Sequence, residues 1–383
     1  MNIYVVLLLL IYVWLTIGLF LSVDKKLYLA VPLILLMIFT GLRYDTGRDI
    51  HNYKRMFDAI SSGCNYTDIG GGFSIEISYY LITLLMIKLK LKFQALVLLY
   101  SALSYSLLYL SLKNLRISKF ETFVYLSVFI DFEFLTYFIL MRQFLAASII
   151  FYVFTQNCKT RKDIVFNSLI LIIAGLVHTP AFIIIPFYVI FNHKKTQSIL
   201  FRYIMIFIAI LLGISSFAVK FMSSYADKLG QYARFTNNPN YGEKGKYSMI
   251  ILLLTLMYLL TILLINTNEI DLNILEISNK MKSNLDSSNI NSSVLLLFMI
   301  YYSSISLSYF NRSYWYLALS LGIIPVSLQR EIKTIFKSKS LSYCFGTAIV
   351  LFMFLHTLFI YVNLENSDPL MIPYKFSMDF FEI

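Results

Sequence analysis

The sequence has 383 residues, of which 58% are hydrophobic and only 14% are charged, and its mean hydropathy is +0.72. Soluble domains contain about 25% charged residues, so the composition excludes a soluble globular protein and indicates a chain that passes repeatedly through a membrane. The formal net charge is +11, but much of the Lys and Arg lies in short loops between apolar segments, which is a topology signal. Because no zinc finger or other nucleic-acid motif is present, we expect no nucleic-acid partner.

Apolar segments recur along the whole chain, with lengths near the ~20 residues that a helix needs to cross the hydrocarbon core. Backbone inside hydrocarbon must satisfy its own hydrogen bonds, so we interpret these segments as helices. The prediction is an all-α, polytopic integral membrane protein with roughly 12–14 transmembrane helices, forming a single domain over residues 1–383. Residues 1–21 lack a basic start and a small-residue cleavage site, so we expect a retained first span.

The first spans are predicted at about residues 3–23 and 27–42, joined by a turn that contains Lys25 and Lys26. Placing these lysines in the cytoplasm puts the N-terminus and Arg43 at the outer surface. The polar loop that follows covers about residues 43–74. Within it, apolar and charged residues alternate at helical spacing over residues 50–60, which predicts a short interfacial helix.

The charge rule contradicts itself in the next part of the chain. Predicted spans at about 75–87 and 93–112 are each followed by a basic loop, one with Lys88, Lys90 and Lys92, the other with Lys113, Arg116 and Lys119. Because one span separates the two loops, both cannot be cytoplasmic. Either one apolar run is re-entrant or one basic loop faces outward, and the sequence leaves both possibilities open. Apolar runs at 120–138 and 139–154 follow, interrupted by Asp131, Glu133, Arg142 and Gln143.

From Asp163 onward, the basic loops fall on the cytoplasmic side without exception. The predicted spans are 164–177, 181–191, 199–218, 248–265, 294–309, 314–328 and 341–362, with a polar cytoplasmic linker at about 266–293. This arrangement places His178, a polar loop at about 219–247, Arg312 and the tail 363–383 on the outer side. Arg142 joins them if its helix runs inward. The convergence of scattered polar groups on one membrane face predicts a functional site there.

Four arginines, Arg43, Arg48, Arg142 and Arg312, lie near the outer ends of predicted spans. Guanidinium groups make bidentate, charge-assisted hydrogen bonds to phosphoryl oxygens and remain protonated, so these residues are candidates for a phosphate clamp. The alternative is that they extend to lipid headgroups or pair with carboxylates such as Asp45, Asp49 or Glu133. Asp131 and Glu133 are accordingly candidate structural partners of an arginine.

His178 is a candidate proton acceptor, or a donor to a leaving phosphate; the alternative is that it caps the end of an apolar helix. Asp49 is a candidate general base or a partner of Arg43 or Arg48. Tyr44 and Tyr53 suit stacking on a sugar, although aromatic residues also populate membrane interfaces. Metal-binding and nucleotide-binding motifs are absent from the sequence, so we expect no metal and no other cofactor.

Three short motifs resemble those of one family. The segment Arg43-Tyr44-Asp45-Thr46-Gly47-Arg48-Asp49, followed by Tyr53, resembles the RYxxGxDxxxY signature of EpsG-family proteins. Arg142-Gln143-Phe144-Leu145-Ala146 is similar to that family's RQxxA, and His178-Thr179-Pro180-Ala181 to its H-[ST]-x-A. The order and spacing of the motifs match, and the resemblance covers nearly the whole chain.

The resemblance implies a GT-C-like glycosyltransferase, a Wzy-type polymerase of O-antigen, capsule or exopolysaccharide. It would act at the outer face of the bacterial inner membrane on undecaprenyl-diphosphate-linked repeat units, with a chain-length regulator protein as a possible partner. Arg43, Arg142 and Arg312 would stabilise the leaving diphosphate, and Asp49 or His178 would take the acceptor proton. Gln143 would contact substrate beside Arg142. The loop 219–247, with Arg234 and Tyr241, would hold the sugar chain or cover the site.

Two other functions suit a membrane protein of this kind. A flippase for lipid-linked oligosaccharides would also have many spans and internal arginines, but transporters tend to show repeated halves and polar residues near mid-membrane. An O-antigen ligase would use the same donor, and a large outer loop late in the chain would favour it. Sugar identity, linkage, polymer type and oligomeric state are not encoded in any pattern that the sequence displays.

Overall fold

A computed structural model of the chain describes residues 2–66, 76–156, 158, 160–191, 204, 207, 251–261, 290–306, 313–364, 371 and 374–380. The helices within these ranges are α1 Ile3–Phe20, α2 Lys25–Gly41, α3 Ile50–Ser61, α4 Ile77–Lys88, α5 Phe93–Asn114, α6 Lys119–Phe132, α7 Phe134–Ile139, α8 Met141–Phe154, α9 Arg161–Val177, α10 Ile184–Phe191, α11 Ile251–Thr261, α12 Ile290–Ser306, α13 Ile323–Ile335 and α14 Lys339–Val362. Short 3-10 helices cover Thr179–Ile183, Tyr314–Tyr316 and Ala318–Ser320.

The predicted all-α class is confirmed. The described residues contain no β-strand beyond one isolated bridge, between Arg43 and Phe376. Three helices, α1, α5 and α14, are long and apolar enough to cross a membrane. The chain is therefore a polytopic, helical membrane protein, while the number of crossings stays a prediction.

Two faces of the bundle are defined by the hydrogen bonds between its turns. On one face, the Lys119 ammonium donates to the carbonyl oxygens of Gly18 (3.1 Å) and Leu21 (3.2 Å), which brings the turn after α1 to the turn before α6. On the other face, the Gln94 side chain donates to the carbonyl oxygens of Gly41 (2.7 Å) and Arg43 (3.1 Å). We refer to them as the Lys119 face and the Arg43 face.

The C-terminal tail lies on the Arg43 face. The Tyr44 amide donates to the carbonyl oxygen of Lys375 (2.7 Å), and the Ser377 amide donates to that of Leu42 (2.9 Å). The Tyr374 ring stacks on Phe39 with centroids 4.3 Å apart. These contacts place residues 374–380 on the side that the charge pattern predicts for the tail.

Both ends of helix α4 lie on the Arg43 face. The Lys92 amide donates to the carbonyl oxygen of Phe380 (2.8 Å), and its ammonium pairs with Asp379 (2.8 Å), so the end of α4 lies beside the tail. With 12 residues, α4 is about 18 Å long, which is shorter than the ~30 Å hydrocarbon core. The loop at Lys88–Lys92 therefore lies on the opposite face from the basic loop that ends at Lys119, which favours the re-entrant alternative of the two that the charge pattern left open.

The predicted interfacial helix is present as α3. It buries Ile50, Tyr53, Met56, Phe57 and Ile60 along one side, which is the spacing of a single helical face. Its polar side is exposed. The ring of Phe57 packs on Phe93 at the start of α5, with centroids 5.8 Å apart, so α3 lies against the bundle on the Arg43 face.

Helices α6 to α8 form a hairpin at the centre of the bundle. The apolar runs predicted at 120–138 and 139–154 correspond to α6, the short α7 and α8. Helix α8 packs against α5, where Tyr105 and Phe144 have ring centroids 5.0 Å apart, and against α9. This packing places the N-terminus of α8, with Arg142, between elements that come from distant parts of the chain.

Asp131 and Glu133, at the end of α6, were predicted to pair with an arginine, and neither does so in the described ranges. Asp131 accepts a hydrogen bond from Thr357 (2.8 Å) and pairs with His356 (2.8 Å) on α14, not with an arginine. Glu133 is 1% exposed, and its carboxylate oxygens have no hydrogen-bond partner among the described residues.

Candidate functional site

Three elements meet around the carboxylate of Glu76. One carboxylate oxygen contacts a terminal nitrogen of Arg142 at the start of α8, and the other lies 3.8 Å from Nδ1 of His178 at the end of α9. Glu76 is the N-cap residue of α4, but its side chain makes no capping hydrogen bond there. The carboxylate is therefore available to Arg142 and His178, and the positive end of the α4 dipole favours its charge.

The backbone at the end of α9 fixes the position of His178. Its amide bonds to the carbonyl oxygen of Ala174 (3.0 Å), and its backbone is extended. Pro180 follows in the first turn of a 3-10 helix. The N–H groups of a first turn have no partner within the helix, so the N–H that proline lacks costs no hydrogen bond there. The ring nitrogen Nδ1 shares a hydrogen bond of 2.8 Å with the hydroxyl of Tyr316. The imidazole is thus positioned by a buried phenol as well as by Glu76.

Two tyrosines surround the guanidinium of Arg142. Its Cζ lies 5.2 Å from the ring centroid of Tyr53 and 5.4 Å from that of Tyr79, which are distances for cation–π attraction. The Tyr79 hydroxyl donates to the backbone carbonyl of Tyr53 (2.7 Å), which links α4 to α3. Nε of Arg142 is buried without a hydrogen-bond partner among the described residues. Arg142 thus retains an N–H that Glu76 does not use.

Arg43 is a second buried cation on the same side of the bundle. It is 1% exposed, its Cζ lies 4.5 Å above the ring of Phe138, and no guanidinium nitrogen has a hydrogen-bond partner in the described ranges. Burial lowers the pKa of Arg43 to about 10, so the side chain is still protonated at neutral pH. Tyr53 lies within electrostatic reach of both Arg43 and Arg142.

An unpaired, buried guanidinium is costly, and here the backbone holds it in place. Arg43 pairs with Phe376 in an antiparallel bridge, and its carbonyl oxygen accepts the hydrogen bond from Gln94. An ionisable side chain buried in a membrane protein marks a candidate functional site, and guanidinium groups bind phosphate and carboxylate oxygens. The arrangement of Arg43 and Arg142 around Tyr53 can therefore bind a phosphate or carboxylate group.

The other predicted residues of the first motif lie outside this cluster. Tyr44 is 43% exposed, with the Lys54 ammonium 5.9 Å above its ring, and Arg48 is exposed. Asp49 is half-buried at the N-cap of α3, where it makes no side-chain capping bond. The structure thus brings Arg43 and Tyr53 towards Arg142 but leaves Tyr44 and Arg48 at the surface.

The remaining predicted residues divide into two groups. Gln143, beside Arg142, is 3% exposed within α8. Arg234, Tyr241 and Arg312 lie outside the described residues, so their predicted roles stay predictions. Within the described ranges, no three His, Cys, Asp or Glu side chains are grouped closely enough to hold a metal ion.

Sequence analysis missed Glu76, Tyr79 and Tyr316. Glu76 stands at the edge of a predicted span, where a carboxylate is usually interfacial; its place at the start of a run too short to cross the membrane was the available signal. Tyr79 and Tyr316 are two of 29 tyrosines, and nothing in their local sequence separates them from the others.

A family model matches most of the chain. The EpsG family model matches residues 26–376, a range that includes all three motifs as well as Glu76 and Tyr316. The chain belongs to the EpsG family. Membership supports a membrane protein of the polysaccharide-polymerase type. Of the residues that meet in the site, Tyr53, Arg142 and His178 belong to the three motifs of this EpsG-family protein, whereas Glu76 and Tyr79 lie outside them. No curated protein and no solved structure shows significant similarity to the chain.

Proposed function

We propose that this EpsG-family protein is a Wzy-type polymerase that joins undecaprenyl-diphosphate-linked oligosaccharide repeat units by glycosyl transfer. A hydroxyl of the acceptor unit attacks the anomeric carbon of the donor chain. The new glycosidic C–O bond forms, the C–O bond to the donor diphosphate breaks, and the acceptor proton passes to a base. The undecaprenyl diphosphate leaves with the bonding electron pair.

The observation that carries the proposal is that two arginines on the Arg43 face keep N–H groups without a hydrogen-bond partner in the described ranges: the whole guanidinium of Arg43 and Nε of Arg142. Negative charge grows on the diphosphate as the anomeric bond breaks. Fixed guanidinium groups at that position stabilise the developing charge without reorganising, which is often the largest contribution to catalysis. A lipid diphosphate also presents enough oxygens to engage both arginines.

His178 is the proposed proton acceptor. The Glu76 carboxylate lies 3.8 Å from its Nδ1, and a carboxylate near an imidazole stabilises the imidazolium that forms when the proton is taken. Asp49 remains the alternative base from sequence, but it lies at the start of α3 and is not among the contacts of Arg142 and His178. The geometry therefore favours His178.

The proposed location is the bacterial cytoplasmic membrane, with the Arg43 face extracytoplasmic. Support comes from the Lys119 face, where the turns at residues 21–26 and 113–119 carry closely spaced basic residues, as cytoplasmic loops do. The proposed partners are the bilayer, the lipid-linked oligosaccharide and a chain-length regulator. Catalysis by this chain is proposed to need no cofactor.

A gene deletion tests the function against its two rivals. Loss of a polymerase leaves glycolipid with a single repeat unit, loss of an O-antigen ligase leaves polymer that is not attached to its core acceptor, and loss of a flippase leaves neither product. We expect the single-repeat pattern. Either of the other two patterns overturns the proposal.

Complementation then tests the site. Arg43→Ala and Arg142→Ala are expected to leave the single-repeat pattern at normal protein level. The control is Arg55→Ala, because Arg55 is an exposed arginine on α3 and should restore the full polymer ladder. Full ladders from both site variants would show that the arginine clamp is wrong.

A further inference from the structure

Glu76 lies between Arg142 and His178, which have different roles in the proposed reaction. Its contact with Arg142 occupies the cation that the diphosphate requires, while its other oxygen faces His178. The side chains of Glu76, Arg142 and His178 are 9%, 12% and 23% exposed, so water screens these charges weakly. A carboxylate placed between an arginine and a histidine in such a site can bind either one more strongly when the other is taken away.

The contact between Glu76 and Arg142 leaves part of the guanidinium unused. Nε of Arg142 has no hydrogen-bond partner in the described part of the chain, so the carboxylate does not form the two-pronged pair that arginine makes with carboxylates or phosphates. A diphosphate carries more oxygens and more charge than one carboxylate. It is therefore a stronger partner for Arg142 than the single carboxylate of Glu76.

We infer that Glu76 is an exchangeable counter-ion, which neutralises Arg142 in the empty site and is displaced by the lipid diphosphate, after which it pairs with His178. The inference rests on the proposed function, since it names the step that couples substrate binding to proton transfer at the same site. Glu76 acts as a positioning residue: it holds the base in a proton-accepting state only when the donor diphosphate is bound.

The exchange has two consequences that a purely structural Glu76 would not have. Removing its charge frees Arg142, so the anion should bind more tightly. At the same time His178 loses its carboxylate and becomes a weaker base, so turnover should fall. Tighter binding together with slower turnover is the signature of the exchange, whereas a residue that merely supports the fold would weaken both when it is replaced.

The first experiment measures binding of undecaprenyl diphosphate, and separately of inorganic diphosphate, to the purified full-length protein in detergent. We expect Glu76→Gln to bind either probe about 5-fold or more tightly than the unchanged protein, because a coupled charge contributes at least that factor. Arg142→Ala should bind weakly, and the double variant should bind as Arg142→Ala does. Glu76→Asp keeps the charge and should tighten binding less than Glu76→Gln.

The second experiment measures polymerisation of lipid-linked repeat units as a function of pH. In Glu76→Gln we expect turnover to fall about 100-fold or more, with an unchanged or lower KM. The acid limb of the rate profile should move to lower pH, because the imidazole has lost the charge that raises its proton affinity. The control is Asp58→Asn on α3, which makes the same carboxylate-to-amide change at an exposed position. It should leave both diphosphate binding and turnover unchanged.

The results separate failure of this inference from failure of the proposed function. If the unchanged protein binds diphosphate through Arg142 and polymerises repeat units, but Glu76→Gln binds no more tightly, the exchange is wrong and the function stands. If diphosphate does not bind and no polymer forms in the unchanged protein, the proposed function itself fails. Equal losses of binding and turnover in Glu76→Gln, with a lowered melting temperature, would make Glu76 structural and overturn the inference.

Discussion

The guanidinium carbon of Arg43 lies 4.5 Å from the ring centroid of Phe138, and both side chains are buried. The contact joins the loop after α2 to the tip of the α6–α8 hairpin. The cation–π attraction provides about 2 kcal/mol in a desolvated setting, which is less than the cost of burying the charge. The remaining cost is consistent with a residue that is retained to bind a ligand.

Replacing Arg43 with Met should separate stability from activity. Methionine fills a similar volume without a charge, so we expect the thermal stability of the ligand-free protein to be unchanged or higher, while polymer formation falls by a factor of about 100 or more. Thermal unfolding in detergent and the polymer ladder measure the two effects. Arg142→Met is the contrast: it leaves His178 as the remaining partner of Glu76 and should destabilise the protein, by less than the about 3–5 kcal/mol expected for a buried carboxylate with no partner. Strong destabilisation by Arg43→Met would give Arg43 a structural role.

Gly175 controls the position of His178. A methyl group on Gly175 would overlap the ring of Phe182, which lies in the 3-10 helix after His178. We expect Gly175→Ala to shift that turn, lowering stability by about 1–3 kcal/mol and reducing polymer formation. The double variant Gly175→Ala/Phe182→Ala removes the overlap and should recover activity, as measured by the polymer ladder. An unaffected single variant would show that the turn tolerates the shift.

The re-entrant course of α4 is testable by chemical labelling. In a protein whose Cys64, Cys158 and Cys344 are replaced by Ser, a single cysteine is introduced at Lys88, Arg55 or Arg116. We expect an impermeant maleimide applied to intact cells to label the first two positions and to label Arg116→Cys only after the membrane is opened. The prediction follows from the contact of Lys92 with the tail. Labelling of Lys88→Cys together with Arg116→Cys would mean that α4 crosses the membrane.

Tyr374 holds the C-terminal tail against the Arg43 face. Its hydroxyl donates to the carbonyl oxygen of Phe39 (2.6 Å), and its ring stacks on Phe39. Tyr374→Phe should cost about 1 kcal/mol of unfolding free energy through the lost hydrogen bond, and Tyr374→Ala about 3–5 kcal/mol. Phe376→Ala serves as the control, because Phe376 is 61% exposed and should change stability little. Unfolding in detergent measures all three, and equal losses would mean that the tail is not held by Tyr374.

The sequence was sufficient for features that depend on local patterns. Apolar runs predicted α1, α2, α5, α9 and α14 to within a few residues, and helical spacing predicted α3. The approach of Arg142 to His178 also followed from sequence, since charge bias places both near one face. These predictions succeed because each uses information that is contained in one segment and its flanking loops.

Other features depend on packing between distant segments. Arg43 and Tyr44 are neighbours in sequence, yet one is buried and the other is exposed, because the extended pairing with Phe376 directs successive side chains to opposite sides. No local pattern indicates which of the two faces inward. Glu76 likewise gains its role only when the start of α4 meets the ends of α8 and α9. The predicted third span was itself too short to cross the membrane, and greater weight on its length would have favoured the re-entrant alternative.

Because both ends of α4 lie on the Arg43 face, we expect the stretch between α2 and α5 to add no net crossing. Shortening, lengthening or exchanging this excursion would leave every later loop on its own side of the bilayer. A change in the length of the segment that supplies Glu76 and Tyr79 is therefore not expected to invert the rest of the molecule.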